Sequence, residues 1–214
     1  MVNKHNALRD ETVRGSHMLF VAMTMKPMKI VSYDKECEFL AGCHMKQCKF
    51  TNDKVRISLD DGAMGQIMYR RMVKDDETDK LDVNFLSEAF DMWIKKKKPK
   101  HVEIAGNIFQ LAWVHTTRVG CAMMYYRQKP DKYYYSVICN YKPELPIDKN
   151  LSYELRYHVC TKRNKQYKKL CGFVRPLEDD DFTPPLRLDT GFASLPIYQL
   201  VAICSSAIIV LNLI

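Results

Sequence analysis

The chain has 214 residues and a net charge of +8, with 33 Lys and Arg against 25 Asp and Glu. Hydrophobic residues make up 47% of it, which is enough for a packed core and excludes a wholly disordered chain. Only 8 Gly and 9 Pro exclude a collagen-like structure, and the length predicts one domain with an appendage or two small domains.

The first half of the chain is predicted to be mainly helical. Residues 2–14 form the first helix, and Asp34 is placed to cap a second one. The clearest helix covers residues 81–97, where apolar side chains recur at helical spacing before Pro99 ends it. Residues 51–79 are polar and are predicted to be mostly loop.

The composition beyond Pro99 is typical of strands, which are predicted at residues 109–114, 119–126 and 133–141. The last two form a hairpin that turns near Pro130. In that register Cys121 lies opposite Cys139, within reach of a disulfide. Helices followed by an antiparallel meander predict an α+β domain in which helices cover a sheet.

The two ends of the chain bear on its cellular compartment. The N-terminus holds no apolar stretch of the kind found in secretory signal peptides. Residues 195–214, the hydrophobic tail, are uncharged and have about the length that spans a bilayer. Three interpretations stay open for this tail: a membrane-anchoring helix, the tail of a glycolipid-anchor signal, and a helix or strand packed on the domain.

Charged residues are unevenly distributed. Basic segments occupy residues 95–101 and 162–169, and an acidic cluster follows at 178–181. Such segments attract phosphate or anionic lipid, although most of them are solvated loops. No zinc-finger spacing, aromatic RNA-binding pattern or helix-turn-helix accompanies the lysines, so nucleic acid is not an expected partner.

Two long motifs occur in order, GNIFQLAWVHTTRVGC at residues 106–121 and YSVICNYKP at residues 135–143. They resemble the signatures of the CAP superfamily, which comprises the cysteine-rich secretory proteins, antigen 5 allergens and pathogenesis-related 1 proteins. Further segments resemble the same family at residues 5–9, 33–41, 65–69 and 157–171, the last in its insect antigen 5 branch. The resemblance covers residues 2–173 and implies a three-layer α-β-α sandwich.

Many CAP domains line a central cleft with two His and two Glu, a set that can hold a divalent metal such as zinc. The matching positions here are degenerate: Asn52, Gln66, Lys96 and Asn107. Amide carbonyls are weak zinc ligands, and a lysine adds positive charge. The resemblance therefore implies a cleft without a metal or other cofactor. The remaining histidines are scattered, and we expect structural or exposed roles for His5, His44, His101, His115 and His158.

The cysteines follow the resemblance in part. Cys121 and Cys139 match the signature cysteines that pair in the antigen 5 branch, and Cys160 and Cys171 enclose a short basic loop and are placed to pair locally. Each such bridge contributes roughly 2–4 kcal/mol. The others are interpreted as small buried apolar side chains: Cys37, Cys43, Cys48 and Cys204.

No catalytic motif such as G-x-S-x-G, H-E-x-x-H or a glycine-rich phosphate loop is present. We interpret residues 1–173 as a degenerate CAP domain, residues 174–194 as a polar linker and residues 195–214 as the hydrophobic tail. The resemblance implies a non-catalytic, secreted or surface-attached module that binds a protein or lipid. Two alternatives stay open: a divalent-metal-dependent hydrolase using the cleft, and an intracellular protein anchored in a membrane by its tail.

Overall fold

The computed structural model describes residues 1–14, 28–48, 50–60, 62–73, 84–95, 109–129, 132–145, 160–184 and 209–212. The helices are α1 (Val2–Val13), α2 (Lys35–Met45) and α3 (Phe85–Lys95). The strands are β1 (Ser32–Tyr33), β2 (Ile57–Ser58), β3 (Gly62–Ala63), β4 (Gly65–Val73), β5 (Arg118–Lys129), β6 (Lys132–Lys142) and β7 (Ile209–Asn212).

The main sheet has the strand order β1-β5-β6-β4, and β7 also pairs with β5. Strands β4, β5 and β6 are antiparallel, whereas β1 runs parallel to β5. The β5–β6 hairpin places Cys121 opposite Cys139, as its sequence predicts. Strands β2 and β3 form a separate short hairpin.

Helices cover both faces of the main sheet. Along β5 and β6, alternate side chains point to opposite faces, because successive residues of a strand do so. One set, which includes Met123 and Val137, packs with the apolar side chains of α1 and α3. The other set, which includes Met124 and Ile138, packs against α2. The described part of the chain is therefore a three-layer α-β-α sandwich, and the predicted α+β fold is confirmed.

The start of α2 is fixed against β5. The Asp34 carboxylate accepts a hydrogen bond from the Cys37 amide at 2.7 Å and caps the helix, as predicted. Gly120 lies directly beneath this turn, and a Cβ atom there would meet the Asp34 carbonyl oxygen and the Glu38 nitrogen at 2.3 Å. Only glycine allows the helix to approach the sheet this closely.

Two predictions about local structure are wrong. The segment expected to be loop contains β4, which pairs with β6 along its whole length. Arg70 and Arg71 interrupt the apolar pattern by which a strand is predicted from sequence. In the structure both guanidinium groups stack on aromatic rings. Residues 109–112, expected to be extended, are helical. Periodicity cannot distinguish a strand from a helical turn in so short an apolar run.

Disulfides join Cys121 to Cys139 and Cys160 to Cys171, as expected. The interpretation of the remaining cysteines is only partly right. Cys37 is free and buried, but Cys43 is free and exposed, and Cys48 is disulfide-bonded instead of being a buried thiol. Cys204 lies outside the described residues.

The segment that follows the Cys160–Cys171 loop, predicted as a linker, contacts the domain where it is described. The Asp180 carboxylate accepts a hydrogen bond from the Lys35 amide at 2.8 Å. The Phe182 ring lies 5.6 Å from that of Phe39 on α2, centroid to centroid. Residues 180–182 are thus held against α2.

The described part of the hydrophobic tail is a strand. Residues 209–212 pair antiparallel with residues 122–125 of β5, on the edge that β1 leaves open. Among the residues that the structure describes, no helix is long and apolar enough to cross a bilayer. Of the three interpretations of the tail, the pairing favours a packed strand for these four residues.

We expect a chain that ends at Ile208 to be less stable than the full chain by about 1–3 kcal/mol, because it leaves part of the β5 edge unpaired. It should also self-associate through that edge. Thermal unfolding and size-exclusion chromatography measure both effects, with a chain ending at Asn212 as the control. If alkaline carbonate leaves the full chain in the membrane pellet but releases a chain that ends at Asp189, before the hydrophobic tail, the tail is a membrane segment instead.

Candidate functional site

Two of the four positions expected to line the cleft lie where β4 and β6 meet the loop that follows α2. Gln66, one of the four degenerate positions, is 8% exposed. Its side-chain oxygen accepts a hydrogen bond from the Asp53 amide at 2.8 Å, and its nitrogen donates to the Asn140 side-chain oxygen at 3.0 Å. Asn140 in turn donates to the Cys37 carbonyl at 3.2 Å. The oxygen and the nitrogen of the Gln66 amide are therefore both hydrogen-bonded, and together they hold the loop against the sheet.

Asn52, the second degenerate position, is exposed beside this network. His44, which the sequence does not mark as a site residue, lies beneath the same loop and is buried. Its Nε2 donates to the Thr51 carbonyl at 2.6 Å, and its Nδ1 lies 4.0 Å from the Asp53 carboxylate. Because a carbonyl only accepts, Nε2 must carry the proton. His44 therefore holds the loop and offers only Nδ1 to a further partner.

The other two degenerate positions, Lys96 and Asn107, lie outside the described residues. Within the described ranges, no three His, Cys, Asp or Glu side chains are grouped so that they could hold a metal ion. The structure thus brings Asn52 and Gln66 to one loop, and the only histidine beside that loop within the described ranges is already bonded to it.

A buried ionic cluster lies between the start of α2 and the end of β6, close to the cleft. The Lys142 ammonium pairs with the Glu36 carboxylate and lies 3.2 Å from that of Asp34. Glu36 also accepts hydrogen bonds from the Ser58 hydroxyl at 3.0 Å and the Leu59 amide at 2.8 Å. The cluster therefore ties the β2–β3 hairpin to α2 and β6.

The charges of this cluster stabilise one another. Burial alone raises the pKa of Glu36, but the hydrogen bond from Lys142 and those from Leu59 and Ser58 outweigh it and leave the pKa below its ordinary value. Burial lowers the pKa of Lys142, and its bonds to Glu36 and Asp34 raise it above the ordinary value. Burial, followed by the charge of Asp34, raises the pKa of the neighbouring Cys37 thiol, so this free cysteine is an inert core side chain.

The segment at residues 5–9, which resembles a family motif, has a structural role. Asn6 exchanges two hydrogen bonds with the backbone of Val31, at 2.8 and 2.9 Å. His5 bonds to the Met1 carbonyl and the Tyr141 hydroxyl, and burial lowers its pKa to about 3, so it is neutral. The Arg9 guanidinium is fully buried and donates only to backbone carbonyls. These side chains hold α1 on the sandwich.

The fold agrees with the comparison against known families. The family model described as the cysteine-rich secretory protein family, CAP, matches residues 2–141. The chain therefore belongs to the CAP family, as the sequence motifs predict.

Several similar proteins are venom allergens. The chain is 26% identical over 155 residues to venom allergen 3 of Solenopsis invicta, an alignment that covers 67% of this chain and 65% of that protein. It is 28% identical over 155 residues to venom allergen 5 of Microctonus hyperodae, covering 65% and 63%. The chain thus spans just under two thirds of the length of these relatives. Its relation to the antigen 5 branch is confirmed.

A solved structure supports the fold. The structure of BmVAL-1 matches with a TM-score of 0.55 at 20% identity, and the alignment covers 79% of this chain and 90% of that one. At this identity the likeness concerns the three-layer fold alone.

Proposed function

We propose that this chain is an extracellular CAP-domain binding protein that acts without catalysis and whose cleft no longer holds a metal ion. The observation that carries the proposal is the state of Gln66. Its amide oxygen and nitrogen are both engaged, by the Asp53 amide and the Asn140 side chain. A metal bound there would have to break a buried hydrogen bond and would gain only a weak amide ligand.

The extracellular location is supported by the cysteines. Cys48, Cys121, Cys139, Cys160 and Cys171 are all disulfide-bonded. Disulfides of this number form and persist in oxidising compartments and are rare in the cytosol. The proposal therefore favours a secreted or surface-held protein over an intracellular one.

Calorimetric titration of the full chain with zinc tests whether the metal site has been lost. We expect no site tighter than about 10 μM, which corresponds to a binding free energy of roughly −7 kcal/mol. The physical reason is that Asn52 and Gln66 offer amide oxygens, whereas zinc prefers imidazole and carboxylate. The same result would leave a metal-dependent hydrolase without its cofactor.

A gain-of-function variant provides the control for this titration. Restoring the four ligands that the family resemblance implies, with Asn52→His, Gln66→Glu, Lys96→Glu and Asn107→His together, should tighten zinc binding at least about tenfold, or 1.4 kcal/mol. A stoichiometric submicromolar site in the unmodified chain, lost on Asn107→Ala, would contradict the proposal and favour the hydrolase.

A further inference from the structure

A basic groove, which neither of the two described degenerate positions lines, lies where the segment before β1, the start of β5 and residues 160–175 meet. The segment before β1 runs beside the loop closed by the Cys160–Cys171 disulfide. The Ile30 amide donates to the Cys171 carbonyl, and the Cys171 amide donates to the Met28 carbonyl, both at 2.9 Å. The start of β5 forms the remaining wall, and the three segments enclose a cavity of about 440 Å³. This cavity is called the basic groove below.

Every charged residue that lines the basic groove is a cation: Lys29, Arg118, Lys162 and Arg175. They come from three separate segments of the chain, so their convergence is a product of the fold. Arg175 is partly engaged, because its guanidinium donates to the Asp179 carbonyl and lies 3.9 Å from the Asp181 carboxylate. Within the described part of the chain, no acidic side chain pairs with the other three cations.

The wall between the cations offers hydroxyl donors and one apolar contact. Thr117 and Thr161 line the groove, and Ser32 accepts a hydrogen bond from the Arg175 amide at 2.7 Å, which leaves its own hydroxyl proton free to donate. The Phe173 ring lies in the lining and is 69% exposed. The groove therefore combines positive charge, neutral donors and an exposed apolar ring.

The loop that forms one wall of the groove carries further positively charged side chains. Besides Lys162, the loop carries Arg163, Lys165, Lys168 and Lys169. Arg163, Lys165, Lys168 and Lys169 face solvent rather than the cavity. Clustered charges of one sign around a concave surface focus the field within it and attract ions of opposite charge. The second basic segment of the sequence thus adds positive charge beside the groove.

We propose that the basic groove binds a phosphate monoester group that is attached to an apolar moiety. Such a group carries a charge of about −1.5 to −2 near neutral pH and three strong acceptor oxygens. Arginine and lysine together with hydroxyl donors match it better than a singly charged carboxylate, since arginine binds phosphate oxygens in pairs. The Phe173 ring covers the apolar part. The ligand is a soluble phosphate ester or the head group of a phospholipid, which share this chemistry.

Two probes distinguish the sources. Calorimetry with phenyl phosphate measures binding of a soluble ester, and co-sedimentation with phosphatidylcholine vesicles with and without phosphatidic acid measures binding of a lipid head group. The vesicles without phosphatidic acid account for attachment through the hydrophobic tail. Binding of phenyl phosphate favours a soluble ligand, whereas binding of phosphatidic acid vesicles alone favours a membrane surface. Either result supports the proposed binding site, provided that the variants described below bind the probe more weakly.

The full chain with Arg118→Gln and Lys162→Gln should bind the effective probe at least about tenfold more weakly, because two cations are lost at once. Lys54→Gln removes an exposed lysine elsewhere and should change the affinity less than about twofold, since it leaves the groove intact. Thermal unfolding checks that each variant is folded. Failure of both probes to bind, or equal loss in Lys54→Gln, would overturn the proposal. The zinc titration of the cleft does not bear on this result.

Discussion

Replacing Arg9 with methionine is expected to destabilise the domain by at least about 4 kcal/mol. The side chain of Arg9 is fully buried on α1. It donates to the carbonyls of four residues, at distances between 2.8 and 3.3 Å: Lys29, Leu111, Trp113 and Thr116. Methionine keeps most of the volume but removes the donor. The Trp113 carbonyl keeps a hydrogen bond from the Thr116 amide, whereas the other three carbonyls lose their side-chain donor, and each buried group left unsatisfied costs about 1–3 kcal/mol.

The neighbouring Arg14 provides a matched control. Its guanidinium pairs with Asp10 on the same helix, and its side chain is 52% exposed. Its partner Asp10 is 8% exposed but keeps a hydrogen bond from the Lys169 amide, so Arg14→Met should cost roughly 1–3 kcal/mol, less than Arg9→Met. Urea unfolding measures both variants. If Arg9→Met does not fold, Arg9→Lys keeps the charge but cannot reach all four carbonyls, and a loss near that of Arg14→Met would show that the carbonyl contacts matter little.

Replacing Lys142 with methionine is expected to cost about 3–5 kcal/mol near neutral pH. The side chains of Lys142, Asp34 and Glu36 are between 5% and 11% exposed, so removing the cation leaves two carboxylates buried together. Lys4→Met is the control, because Lys4 pairs with Asp91 where both side chains are more than a third exposed. That variant should lose less than about 1 kcal/mol.

The loss of stability in Lys142→Met should depend on pH, and the ionisation of the carboxylates decides whether it grows or shrinks as the pH rises. In the native protein the pKa of Glu36 is lowered, so its stabilising contribution is present above the ordinary carboxyl pKa of about 4.3 and is lost as the pH falls through the lower folded value. The raised pKa of Lys142 makes its contribution complete below about 10.4, and this contribution is lost as the pH rises through the higher folded value.

Without Lys142, the hydrogen bonds from Leu59 and Ser58 remain, but burial, the largest influence on Glu36, is no longer offset by the ammonium group. The pKa of Glu36 should therefore rise, and the variant should lose stability relative to the native protein as the pH rises through the carboxyl range. The difference from the native protein should be small near pH 3 and large above about pH 5. Adding Glu36→Gln to Lys142→Met should recover part of the loss. A deficit that is the same at all pH values would contradict this account and indicate lost packing instead.

Local sequence determined much of the fold. Residues close together in the chain determine the Asp34 cap of α2, the β5–β6 hairpin and the pairing of Cys121 with Cys139. Helix caps and hairpin registers depend on neighbouring residues, so the sequence expresses them directly. The family motifs extend the prediction to the layer order, because they mark the segments that form each layer.

The candidate cleft was predictable only in part. The family resemblance identifies Asn52 and Gln66 as degenerate positions, but it does not show that Gln66 is held by Asp53 and Asn140. It also gives no sign that His44 lies under the same loop. A histidine in an amphipathic helix has no local signal for its partner, because the partner is chosen by the path of a loop.

Tertiary structure alone decided the features that depend on distant segments. The roles of Arg9 and Lys142 follow from partners more than 100 residues away, Leu111 and Glu36 among them. Strand β4 is hidden in the sequence because its arginines look solvent-exposed, and only the aromatic rings of the sheet make them acceptable there. The basic groove likewise exists only because three distant segments converge. Charge and hydrogen-bonding partners are set by proximity in space, whereas sequence patterns report proximity along the chain.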